Sequence, residues 1–391
     1  MDQDFVRALN HRLAISYAVL LLLPAIMHYL GLLRLTSILT TIFIMSLYSL
    51  SFALLLGYLG LLNFGHALFF GLGGYVTAYM LNYIGAPYMV AVGVSILVGM
   101  LSGLGLSLAV RRVFHGIPFA FVSLAVMLIV YFLYRKRELR LLSGGEQGIN
   151  VVVPGIMKTS TLLEALVVVG AVFLILLAVR GLFFTRKGSR GFLTAQALLA
   201  ASIAVLAVNS WYVGELSESS PALRITPNYY FLSLNVLLAV YAFTRKLVGS
   251  PVGRVWLAIR DNEQRVSSLG FNVFRYKTLG MAIAGGIAAL AGSLYAPFTF
   301  NINPDKAFSP LVSVYAIIYS IIGGVWTPLG PILGTGFVTI LERVLIDYAG
   351  KWSTIIVGAF FIATMYVAPR GLAGMLDRLF TTLSRDSRKA F

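Results

Sequence analysis

The sequence contains no cysteine. That excludes disulfides, thiol nucleophiles and thiolate zinc sites. It is also poor in charge: Asp, Glu, Lys and Arg make up 11% of the 391 residues, against roughly 25% in soluble domains. Histidine occurs four times, and no cluster at metal-ligand spacing appears. No loop of the G-x-x-x-x-G-K-[ST] kind is present to cradle a nucleotide phosphate. What fills the space is apolar: 59% of residues are hydrophobic. A soluble fold could not cover that surface with polar groups, and a bilayer removes the need.

The net charge is +16. The basic residues lie in short runs between apolar stretches, as the positive-inside rule produces, and not on a soluble domain that could hold nucleic acid. The apolar stretches fall near 13–33, 36–57, 64–84, 88–110, 117–134, 161–184, 192–213, 229–248, 278–298, 311–328, 330–347 and 353–369. The expected fold is therefore an all-α polytopic integral membrane protein of about 10–12 transmembrane helices. Some are expected to be broken or re-entrant, near 57–75 and 322–334, where glycines cluster. The segment 1–35 carries the first helix, 36–366 the transmembrane domain, and 367–391 a basic tail. The first apolar run follows MDQDFVRALNHR with no small-residue cleavage site, so it reads as a retained helix.

Lys and Arg set the expected orientation. The stretch 245–277 holds Arg245, Lys246, Arg254, Arg260, Arg265, Arg275 and Lys277, and the tail holds Arg370, Arg378, Arg385, Arg388 and Lys389. Both are expected in the cytoplasm. Counting spans back puts Arg111 and Arg112, Arg186, Lys187 and Arg190, and the N-terminus on the same side. The segment 214–228 falls outside. So do Arg135, Lys136, Arg137 and Arg140, against the rule. Either a nearby segment is re-entrant, or their long side chains snorkel to the headgroups.

Small residues recur at helical spacing. Ser95, Gly99, Gly103 and Ser107 share a face, as do Ala284, Ala288 and Gly292, and beside them Gly285, Ala289 and Ser293. Such faces let helices approach closely in lipid, within one chain or between subunits. Ion-coupled carriers keep ionisable residues inside their spans. Here nearly all lie in loops or at span ends, with Glu164, Glu342 and Asp347 nearest to exceptions. The chain shows no means of its own for harvesting ATP or an ion gradient.

The segment 249–277 reads GSPVGRVWLAIRDNEQRVSSLGFNVFRYK. Ser250 before Pro251 is a helix start, and Val252, Val255, Trp256 and Ile259 fall on one face. Asp261 with Gln264 resembles a capping box, and Gly270 is a stop. Two short basic, amphipathic helices are expected, either a surface connector or a knob that docks into a partner.

This segment, with TLGMAIAGGIAALAGSLYA after it, resembles the cytoplasmic loop of LivM/LivH-type permeases of branched-chain amino acid ABC importers. GYLGLLNFGHALFFGLGGYVTAYM resembles the family's early Gly-rich block, and IIGGVWTPLGPILGTGF its late one. Gly144, Gly145 and Gly148 match its Gly-Gly segment. The blocks run in family order from about 36 to 366. The departure is the pair of apolar segments at 161–213, where the family has a shorter connection.

The resemblance implies a non-catalytic subunit of the cell membrane, multi-pass, with both termini cytoplasmic. It would pair with a second, LivH-like permease, beneath an extracytoplasmic substrate-binding protein and above two ABC ATPase subunits. Those ATPases would hold ATP and magnesium, and this chain no cofactor. Gly253, Arg254, Ala258, Arg260, Asp261, Asn262 and Gly270 would lie on the coupling loop. Gly253 and Gly270 would set its turns, Arg254 and Arg260 would bond to the ATPase, and Asp261 and Asn262 would cap. Asn63, Phe64, Gly65 and His66 would sit at a backbone break beside the substrate path, although His66 also fits a purely structural role. Three alternatives are weighed against this: the same machine carrying urea or a short amide, a stand-alone channel or carrier, and a membrane enzyme.

Overall fold

The computed structural model describes residues 3–114, 116–136, 138, 143–184, 201–203, 206–209, 211–213 and 221–349. It also describes 352, 355–356, 358–360, 362–363 and 371–375. The chain is an all-α polytopic membrane protein. Among the described residues seven helices are long and apolar enough to cross a bilayer, with shorter apolar helices at Ser16–Tyr29, Ser160–Val172 and Ala201–Val213. Part of the expected 192–213 and 353–369 spans, Arg137 and Arg140, Arg186, Lys187 and Arg190, and the basic residues of the tail lie outside the described residues.

The chain divides into two compact units. One comprises residues 1–40 and 155–236. It contains α1 (Gln3–Tyr29), α6 (Ser160–Phe184) and the first half of α7 (Pro221–Gly249). The extra apolar segments thus group with the N-terminal helix. Polar side chains tie these helices. Tyr17 donates to Asn235 Oδ1 at 2.7 Å, and Tyr230 donates to the Leu20 carbonyl at 2.7 Å. Asn235 donates in turn to the Leu166 carbonyl at 3.4 Å. In lipid, where apolar faces gain little by meeting, such bonds and close packing hold helices together.

The other unit comprises residues 41–154 and 237–391. Here the part of α2 (Leu33–Ala53) from residue 41 on continues as a π-helical turn, Leu54–Leu59. After a break, α3 (Ala67–Tyr79) begins. It is followed by α4 (Tyr88–Ala109), α5 (Gly116–Arg135) and α10 (Val273–Phe298). Helix α10 packs against both α3 and α4. The small-residue faces predict this. Ser95, Gly99, Gly103 and Ser107 are buried, and a Cβ on Gly99 would collide with Gly285, one on Gly73 with Ala289, and one on Gly292 with the Phe70 carbonyl. The stripes therefore serve packing within the chain.

The second expected break also appears. Helix α11 (Pro304–Phe308) leads into α12 (Pro310–Gly323), which ends at Gly324, whose φ is 103°, and α13 (Gly330–Ala349) follows. Gly323, Gly330 and Gly334 bring the two helix ends together with no room for a side chain.

One end of this unit gathers the α2–α3 break, the α12–α13 turn and the segment 250–277. At the opposite end strands β1 (Ile149–Asn150) and β2 (Asn301–Ile302) pair antiparallel, Ile149 opposite Ile302. Arg135 lies there too, held by Glu146 at 2.8 Å and facing Asp305 at 3.6 Å. Its position matches the span count, with no re-entrant segment needed to move it. Glu146 and Asp305 hold it at that end, and the rule, which compares totals of Lys and Arg, is met by the larger basic set at the loop end.

Candidate coupling and translocation sites

The segment 250–277 folds as two short helices, α8 (Pro251–Asp261) and α9 (Glu263–Ser268). Ser250 caps the first, its hydroxyl accepting from Gly253 N, with Pro251 in the first turn. Trp256 and Ile259 are buried as their spacing predicts, and Val252 and Val255 are half-buried. The Trp256 indole donates to the Tyr276 carbonyl at 3.0 Å. Ile259, Val266 and Val273 form a small apolar core, with Val255 and Tyr276 against it.

Two details differ from expectation. Asn262, and not Asp261, caps α9: its Oδ1 accepts from Arg265 N at 2.9 Å. Helix α8 extends through Asp261, whose carboxylate is drawn to the neighbouring Arg260 guanidinium at 3.0 Å. Gly253 makes no turn. It sits inside α8, where a Cβ would strike the carbonyls of Leu247 and Val248. Gly270 does turn the chain, at φ 86°.

Arg260 also behaves otherwise than expected. It reaches inward, donating through Nη1 to the Gly57 carbonyl at 2.6 Å. Its guanidinium lies over the Trp326 ring, 4.7 Å from the centroid. Gly60, in the left-handed region at φ 70°, leaves room for the Arg260 stem. One side chain thus joins α8 to the end of α2 and to the turn between α12 and α13. An inward-facing Arg is favoured because its planar fork can bond a carbonyl, pair with a carboxylate and stack at once. The outer stripe of α8 is left to Arg254, Ala258 and Asp261, spaced i, i+4, i+7 and all exposed.

A second clasp is hidden in the sequence. There Lys277 counts only as an orienting charge, yet its side chain is 3% exposed. Its ammonium donates to Glu263 Oε2 at 2.6 Å and to the Phe114 carbonyl at 2.6 Å, tying α9 to the segment between α4 and α5. Trp326 stands out in the sequence only as part of a Gly-rich block. No short-range pattern marks either, because their partners are distant in sequence.

The break between α2 and α3 is densely packed. Asn63 and His66 are fully buried, and Phe64 is half-buried with its ring edge-on to Phe121. Asn63 Oδ1 accepts from Gly65 N at 3.0 Å, and Gly65 lies against the Ser123 carbonyl, where no side chain would fit. His66 Nε2 is 2.8 Å from the Ser51 hydroxyl. That hydroxyl donates to the Tyr48 carbonyl at 2.6 Å, so His66 Nε2 is the donor and its Nδ1 bears a lone pair. Tyr48, Phe52 and Phe69 surround the ring. His66 Nδ1 and Asn63 Nδ2 have no hydrogen-bond partner among the described residues.

A bundle with two glycine-broken helices, clasped at one end by an amphipathic basic loop, defines a multi-pass membrane protein whose loop is joined to both breaks. Residues 34–365 match the family described as branched-chain amino acid transport system / permease component, and the chain belongs to that family. It is similar to the high-affinity branched-chain amino acid transport system permease protein LivM of Salmonella typhimurium, 26% identical over 40% of this chain and 36% of the relative. The probable LivM of Methanocaldococcus jannaschii is 27% identical over 37% of this chain and 46% of the relative. The LivH permease of Escherichia coli is 27% identical over 42% and 52%. The alignments thus span about a third to a half of these relatives. No solved structure matches the chain.

Proposed function

We propose that this chain is a non-catalytic permease subunit of an ATP-driven importer for branched-chain amino acids. It shares the translocation path with a second, LivH-like permease. Two ABC ATPase subunits, which bind the ATP and magnesium, engage the 249–277 loop from the cytoplasm. A substrate-binding protein delivers amino acid to the opposite end. Both termini are cytoplasmic.

The observation that carries this reading is the division of α8 into two faces. Trp256, Ile259 and Arg260 anchor it to the helix breaks, while Arg254, Ala258 and Asp261 stand exposed. A helix anchored on one side and bare on the other transmits a push. Arg254 is the docking cation, and Arg260 is a positioning residue that passes movement to the ends of α2 and α13. Asn63, Phe64, Gly65 and His66 border the path only when the packing at their break opens. Lone pairs and amide protons freed there would face an amino acid zwitterion.

The test is reconstitution of the chain with its permease, ATPase and binding-protein partners. Leucine uptake should require ATP and all components. Arg254→Glu should leave assembly intact and abolish uptake while ATP hydrolysis continues. Undiminished uptake by that variant would sink the docking role, and urea transported in preference to leucine would move the substrate class.

A further inference from the structure

The turn between α12 and α13 reads GGVWTPLGP from residue 323 to 331, and it is fastened at several points. The Tyr58 hydroxyl donates to the Trp326 carbonyl at 3.3 Å. The Val325 backbone lies against Gly57, where a Cβ would not fit. Gly330 N donates to the Thr327 carbonyl at 3.0 Å and to its hydroxyl at 3.2 Å. Yet Trp326, in this fixed turn, is 54% exposed. A large aromatic side chain held ready on rigid backbone loses little freedom when a partner covers it, and tryptophan beside arginine is the usual make-up of the residues that carry most of an interface's affinity.

Lipid is the other candidate cover, since tryptophan is common at headgroup level. Trp326 stands on the π-helical end of α2, however, where Leu54, Leu55, Gly57, Tyr58 and Leu59 are buried. That end lies inside the bundle and not on its perimeter, so the ring above it faces the water beyond the helix ends. The ring is also continuous with the outer stripe of α8. Arg260 lies over it at 4.7 Å and pairs at 3.0 Å with Asp261, the last member of the stripe. We propose that Trp326 and its turn form a second part of the surface that docks the ABC ATPase. The matching surface carries an apolar cleft for the indole, a basic side chain toward Asp261 and an acidic one toward Arg254. A push from the ATPase then reaches α12 and α13 directly, and not only through Arg260. The inference rests on the permease reading above and adds the late glycine-rich turn to a contact which that reading gives to the 249–277 loop alone.

Thr327 is exposed beside the indole and the chain has no cysteine, so Thr327→Cys reports on this surface with the tryptophan in place. In inside-out vesicles holding the permease pair without its ATPases, the thiol should react with a membrane-impermeant, charged reagent. Adding the ATPases should slow that reaction severalfold. Equal rates would overturn the proposal. So would a thiol that reacts only in detergent, because the turn would then lie under lipid or the second permease. Trp326→Ala should in addition weaken ATPase binding to the solubilised pair about tenfold or more, as loss of an aromatic anchor does, and unchanged affinity would refute the anchor. Should Trp326→Ala fail to assemble, the protection of Thr327→Cys still decides, since a tryptophan with a purely structural role leaves no ATPase footprint at 327. A wild-type pair that binds no ABC ATPase sinks the permease reading instead, an outcome distinct from ATPases that bind and leave Thr327→Cys open.

Discussion

Lys277 and Glu263 form an ion pair of unequal partners. The lysine side chain is 3% exposed and the glutamate 43%. Removing the glutamate leaves a buried ammonium with one carbonyl, while removing the lysine leaves a carboxylate that water can reach. Glu263→Ala should therefore cost more, about 1–3 kcal/mol, than Lys277→Met, at about 1 kcal/mol. Thermal unfolding of the detergent-solubilised chain measures both, and the reverse order would contradict the burial argument. Gly292 makes a sharper demand. A side chain there meets the Phe70 carbonyl, and helix backbones cannot give way as a side chain can. Gly292→Val should force α10 from α3, at about 1–3 kcal/mol of overpacking strain, with reduced yield of folded protein. Gly105, which faces open space, should tolerate the same change, so the pair separates close packing from general loss of glycine.

At the scale of elements, α8 and α9 are held by both caps and clasps, and these make different predictions. Replacing the Asn262 cap with alanine should loosen α9 by about 1 kcal/mol and leave the Arg260 clasp in place. Arg260→Lys keeps the charge but cannot bond the Gly57 carbonyl, pair with Asp261 and stack on Trp326 together. It should lower leucine uptake per ATP hydrolysed while α8 stays folded. The ratio of uptake to hydrolysis is the measurement, and an unchanged ratio would show that Arg260 only stabilises the loop. The helices themselves are legible in the sequence. Local signals place them: Ser250-Pro251 at the start, the Trp256 and Ile259 face, and Gly270 at the stop. The packing of α10 is legible too, because small residues at four-residue spacing suit few other purposes. Asn262 is one of the two caps expected; the capping-box spacing from Asp261 points one position early, because α8 runs on through Asp261. The inward turn of Arg260 and the Lys277 clasp are not legible. Both depend on carbonyls, at Gly57 and Phe114, that no residue type announces.

For the molecule as a whole, the two ends of the 41–154 and 237–391 unit carry opposite electrostatic designs. At one end Arg254 and Arg265 stand exposed on the loop, with Arg275 exposed at the start of α10. At the other, Arg135 is held between Glu146 and Asp305. The positive-inside rule goes by the excess of Lys and Arg near the span ends and takes little account of acids, so the end that carries more of them, the loop end, should orient the chain. The expected orientation therefore has the loop end in the cytoplasm, although both ends carry arginine. Single cysteines settle this in a chain that has none. Arg254→Cys should be labelled by an impermeant reagent only from the cytoplasmic side, and Glu146→Cys only from the other. Labelling of both from one side would break the span count between them, and with it the placement of the ATPases against the α8 stripe.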